Sequence, residues 1–214
     1  MRNNSESFDN LETSVRKSSV VQERSALVAV HMYKQFLEFQ QATILTNDVF
    51  GKMIDDIGQV VDYLRQSFGV RNIPVSNVSY EVDSAKTLAM INILWHTISF
   101  VNRYNISPKA LPRATRQPLF CNRIFALNGN YHHIIKDIPD YEGQMKALLD
   151  NEIASLYIPT EKDQSAIITI RHKDNQEFAV NRIDASREFV LKVIETICGG
   201  GLYHEEGSRK SFNI

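Results

Sequence analysis

His132 and His133 stand side by side, the nearest approach in this chain to a metal-ligand pair. A metal site needs three or four donors converging on one point. Neighbouring side chains diverge on a strand or a helix, so the pair requires a third ligand from elsewhere. HExxH and CxxC are both absent. Cys198 lies upstream of His204, with Gly199-Gly200-Gly201 following the cysteine. A thiolate nucleophile needs a base within hydrogen-bond reach, and three glycines give the chain freedom to fold back. The same glycines leave a helix rather than enter one. They therefore lack the free N–H groups that make a phosphate cradle, and GxGxxG and GxxxxGK[ST] do not occur. Asp55-Asp56 and His204-Glu205-Glu206 read as solvated charge without an opposing partner. Cys121 beside Phe120 and Cys198 beside Ile197 fit small buried thiols.

No catalytic residue, cofactor or metal is therefore assigned. The expectation is a non-enzymatic protein-interaction module. Two alternatives remain: an enzyme with an unrecognised site near Cys198/His204 or His132/His133, and a weak nucleic-acid or anion binder through the basic segment 103–123.

Charge is distributed unevenly although the formal total is −1. Between Ser84 and Lys136 every ionic residue is basic: Lys86, Arg103, Lys109, Arg113, Arg116, Arg123 and Lys136. From Asp137 to Asp163 acids dominate. The two stretches can pair internally, or the basic one can face a partner. For the second case the expected docking residues are Lys109, Leu111, Arg113, Arg116, Leu119, Phe120 and Arg123. Arginine grips carboxylates with two parallel bonds, and apolar neighbours add buried area. The partner would then be a protein with an acidic or amphipathic segment. Nucleic acid is disfavoured, because no RRM, KH or zinc-finger pattern accompanies the basic residues.

The elements that would position these residues follow from periodicity. Residues 1–18, rich in Ser, Asn and charge, read as a disordered tail. Leu27, Val30, Tyr33, Leu37 and Ile44 share a helix face, with Phe36 beside them. Asn47-Asp48 read as a break, and Phe50, Met53, Ile57, Val61, Leu64 and Phe68 as a second helix in an antiparallel hairpin. Val78, Tyr80 and Val82 alternate as a strand. Asp83 reads as the cap of a third helix over 84–104, with Trp95 as its core anchor. Three prolines exclude regular structure from 107 to 118, and a short element follows at Leu119–Leu127. A helix is expected from Asp140 to Tyr157, a β-hairpin over 166–183 and a last helix after Asp184. The fold class is α+β: one helix-rich domain over 19–206 with a small antiparallel sheet and a frayed tail at 207–214.

A chain of 214 residues buries about 70% of its unfolded surface and needs no disulfide or metal to hold a core. The two cysteines suit a reducing compartment. The N-terminus has no apolar secretory segment, and no apolar run approaches the ~20 residues of a membrane span. The expected location is the cytoplasm, without membrane insertion and at most peripheral to a membrane-bound complex.

In size, near-neutral charge, helical segments at Ser25–Phe68 and Ser84–Tyr104, and the hairpin–helix end at Ala166–Cys198, the chain resembles adaptor and accessory subunits of bacterial type IV (Dot/Icm) secretion. That resemblance implies a role in binding a coupling protein or other adaptors and presenting effector proteins for export. It transfers no functional residue, because no motif is shared.

Overall fold

The structure, a computed structural model, describes residues 5–102, 121–160, 164–171 and 176–199. It is α+β. The chain divides into two units, Met1–Gln41 and Ala42–Ile214. The first is helical from Ser5, inside the stretch expected to be a tail. One helix, α1, runs over Ser5–Val70. It passes through Asn47-Asp48 unbroken, so the expected hairpin of two helices does not form. Neither glycine nor proline stands there, and Asn or Asp inside a helix costs only a few tenths of a kcal/mol.

The second unit is built on a seven-stranded antiparallel sheet, larger than the small one expected. Its strands are β1 (Val78–Val82), β2 (Leu88–Ile93), β3 (His96–Val101), β4 (Cys121–Asn128), β5 (Glu152–Pro159), β6 (Ala166–Ile170) and β7 (Gln176–Val180). Each strand pairs with its neighbour in sequence, from β1 to β7. Between β4 and β5 lie two short helices, α2 (Tyr131–Ile134) and α3 (Tyr141–Asp150); α4 (Ala185–Cys198) follows β7.

One face of the sheet carries the main core. Phe50, Met53, Ile57 and Val61 from α1, and Ala185, Phe189, Val190 and Val193 from α4, pack on Ile91, Ile98, Phe100, Ile124, Leu156 and Ile168. The α1 residues recur at helical spacing and the sheet residues at a spacing of two, so each element buries one side. Phe189 meets Phe100 edge-on with centroids 5.9 Å apart, a favoured aromatic geometry. Where α1 and α4 approach, Ser186 Oγ donates to the Asp56 carboxylate. Asp56 thus ties two helices, whereas Asp55 is exposed.

The opposite face has a second cluster, in which Leu88, Met90, Val101, Phe125 and Leu127 lie under Tyr131 and Leu148. Gly129 enters this cover at φ 122°, a conformation open to glycine. Buried Ser99 then fixes α2 by donating to Gly129 O at 2.7 Å and accepting from Tyr131 N at 2.9 Å.

Two expected helices are corrected. Within the segment expected to be a helix over 84–104, the described residues 84–102 hold no helix; β2 and β3 form a hairpin there, with Ile93 opposite His96. Asp83 does anchor the segment, but it closes the β1–β2 turn. Its carboxylate accepts from Thr87 N at 2.7 Å and Leu88 N at 2.8 Å. Trp95, expected in the core, sits at the β2–β3 turn and is 81% exposed. Leu94 before it has φ 55°. The helix expected from Asp140 to Tyr157 ends at Asp150, and Glu152–Pro159 is β5. The β1, β6–β7 and α4 expectations hold. The turn expected near Asp174-Asn175 and the tail at 207–214 lie outside the described residues.

Trp95 is the sole tryptophan, which makes its exposure measurable. Its emission should resemble that of tryptophan in water and be quenched freely by acrylamide. Trp95→Ala should change unfolding free energy by no more than about 0.5 kcal/mol. A blue-shifted, protected emission would contradict the turn placement.

Candidate functional site

Among the described residues, those singled out for chemistry do not come together. His132 and His133 lie in α2, both exposed. The Asn130 side chain caps that helix by accepting from His132 N at 2.9 Å and His133 N at 3.3 Å. The backbone of both histidines carries the cap, and the His132 ring meets the Tyr131 ring edge-on with centroids 5.5 Å apart. Among the described residues no group of three His, Cys, Asp or Glu side chains is placed to hold a metal ion. Cys198 ends α4 and is exposed. Partial burial of its sulfur nevertheless pushes the thiol above the usual cysteine value, which lowers the thiolate fraction at neutral pH. His204 lies outside the described residues. Alkylation of the Cys198 peptide, followed by mass spectrometry across pH, should reach its half-maximal rate at higher pH than a free cysteine does. A midpoint below that of free cysteine would revive the nucleophile reading.

Of the expected docking residues, Lys109, Leu111, Arg113, Arg116, Leu119 and Phe120 fall outside the described residues. Arg123 falls inside, and its side chain is buried rather than exposed as expected of a docking residue. It points from β4 into the side of the sheet that also carries Phe125 and Leu127. Its side chain is 8% exposed against 1% for Glu152. Arg123 Nη1 donates to both Glu152 oxygens, at 3.2 and 3.1 Å. Its guanidinium carbon lies 5.1 Å from the Phe125 ring centre. Arg171 Nη2 approaches the same carboxylate at 3.5 Å, while its Nη1 donates to Leu149 O at 3.2 Å. Ser155 Oγ completes the shell by donating to Glu152. One basic-stretch residue is therefore paired with one acidic-stretch residue inside the fold.

A register shift makes this cluster possible. Ala126 faces Ala154 and Leu127 faces Glu152, so Ile153 is an extra residue on β5. A bulge of this kind reverses the alternation. Glu152 and Ser155, three residues apart, are thereby placed on one face, while Ile153 joins the main core. The cluster is internal and saturated on the carboxylate. Among the described residues the Arg123 Nε is buried without a hydrogen-bond partner. This arrangement fixes β4 against β5 and offers no open position for a substrate.

The sequence reading missed the larger surface feature. In α1, Val28, Met32, Tyr33 and Phe36 are 58%, 62%, 62% and 53% exposed. Val21, Val30, Leu37 and Phe39 are exposed as well. Taken at 100° per residue, these side chains and Ala26 and Ala29 occupy an arc of about 200°. Only Gln22, Ser25 and Gln40, all uncharged, interrupt it. Glu23, Arg24, Lys34 and Glu38 fall on the remaining arc, where the Gln35 amide and the His31 ring meet at 3.0 Å. The periodicity announced a helix face; the assumption that a neighbouring helix would cover it hid its exposure.

An α+β unit with a seven-stranded antiparallel sheet in sequence order, together with a helical unit bearing an exposed apolar face, is the class these observations define. No protein-family model, curated protein or solved structure matches the chain.

Proposed function

We propose that the chain is a non-enzymatic protein-interaction subunit, an adaptor or assembly component of a larger complex. The observation that carries this reading is the apolar face of α1 between Val20 and Gln41. Contiguous exposed apolar surface larger than a few hundred Å² is rare on a soluble monomer and marks an interaction site. Among the described residues no helix is long and apolar enough to cross a membrane, so this face is suited to docking rather than spanning.

Lys109, Leu111, Arg113, Arg116, Leu119 and Phe120 form a second arm of the proposal, aimed at an acidic or amphipathic segment of a partner. An adaptor of type IV secretion is the narrower version. Its support is the size, the near-neutral charge, the helix over Ser25–Phe68 and the end at Ala166–Cys198. The helix expected over Ser84–Tyr104 does not contribute, because Leu88–Val101 forms a strand pair.

The test is affinity purification of the full chain from its native cells, set beside Met32→Asp/Phe36→Asp and Arg113→Glu/Arg116→Glu variants. Partners lost with the first pair assign the helix, and partners lost with the second assign the basic segment. A partner set unchanged by both pairs removes the reading.

A further inference from the structure

We propose that the apolar face of α1 between Val20 and Gln41 is occupied by further copies of this chain, joined helix to helix; this rests on the interaction reading above and names the occupant of its main surface.

Three observations favour a copy. The first is charge. Glu23, Arg24, Lys34 and Glu38 cancel, and the helical spacing places all four opposite the apolar arc. Two identical faces therefore meet without burying or opposing a charge. A partner selected by charge would need complementary groups inside the arc, and the arc holds only Ser25, Gln22 and Gln40 as polar residues.

The second observation is area. Val20–Gln41 spans about 33 Å at 1.5 Å per residue. Val28, Val30, Met32, Tyr33, Phe36 and Leu37 are each roughly half exposed or more. Together with Val21 and Phe39 they present an area on the order of the ~800 Å² per partner that a stable complex buries.

The third is shape. Ala29 lies at the middle of the arc, and Ala26 lies about 60° to one side of it, between Tyr33 and Leu37. Small side chains at that place let a second helix approach while the large ones interdigitate around it. An arc of about 200° is wider than the ~100° stripe a helix needs against one surface. It is therefore wide enough to form part of a helical bundle. A helix lying on an anionic membrane would carry Lys and Arg along its polar ridge; this ridge carries equal numbers of acids and bases.

Sedimentation of the full chain from about 1 to 200 μM, combined with light scattering, tests the proposal. The expected result is a mass at least about twice 24.5 kDa at the upper end. It should fall to 24.5 kDa in Met32→Asp/Phe36→Asp. Both positions are exposed, so circular dichroism should show the variant folded; if it is not, Met32→Gln/Phe36→Gln takes its place. A single-chain mass at every concentration overturns the proposal, as does a larger mass that survives the substitutions. A single-chain mass accompanied by native partners lost from the variant would leave the interaction reading standing and exclude the copy as occupant. If no native partner is lost either, the interaction role of this helix falls as well.

Discussion

Glu152→Ala should destabilise the protein by about 3–5 kcal/mol, the usual cost of stranding a buried charge. The wild-type carboxylate is 1% exposed and is the only acid against Arg123 in the described structure. Without it, the Arg123 guanidinium keeps its burial, and among the described residues its Nε already has no hydrogen-bond partner. Arg171 suffers less, because it is 43% exposed and can turn to water. Replacing both buried members by apolar residues of similar volume, Arg123→Met with Glu152→Leu, should recover most of the loss. Urea unfolding of Arg123→Met, Glu152→Leu and the double variant forms the cycle that separates the pair from its burial. A Glu152→Ala variant within about 1 kcal/mol of the parent would show that the cluster is not closed as described.

Phe189→Ala is expected to cost about 3–5 kcal/mol, from the lost transfer energy and the cavity left behind. Phe189 is fully buried where α4 meets the sheet and contacts Phe100 edge-on. The neighbours that would have to collapse into the space, among them Ile98 and Val193, are held by strand pairing or by helix α4 itself. Set beside Trp95→Ala, which should be nearly neutral, the pair makes a sharp contrast. Two large aromatic residues on the same chain differ by several kcal/mol according to where the backbone puts them. Equal losses at both positions would contradict the placement of β2, β3 and α4.

The sequence was legible where one side of an element meets water. β1, β7 and α4 alternate or repeat as their half-buried positions demand; β6 is buried except at Thr169 and is legible only because Thr169 and Arg171 alternate with Ile168 and Ile170 in the sequence. β2 and β3 did not announce themselves, because Leu88–Ile93 and Ile98–Val101 are covered on both faces and the alternation disappears. Continuous apolar strands of this kind carry the same residues as a buried helix. The turn between them added to the confusion: Leu94-Trp95 replaces the Asn-Gly or Asp-Gly that would mark a hairpin. β5 reads as a continuation of the preceding helix for the same reason, being buried on both faces. The bulge at Ile153 has no sequence signature at all. Only the division of charge between the two stretches hinted at the Arg123–Glu152 pair, and it could not say which members were buried.

The order of the elements along the chain has a consequence for synthesis. α1 leaves the ribosome before any strand, whereas the sheet face that covers Phe50, Met53 and Ile57 runs from Val78 to Ile170. At about 5–20 residues per second, that stripe waits on the order of ten seconds for its cover. During that interval the nascent helix displays its future core as well as the apolar residues of Val20–Gln41 that stay exposed in the folded chain. A chaperone that holds apolar helices therefore has a natural window of action, and chains truncated before β4 should precipitate rather than fold.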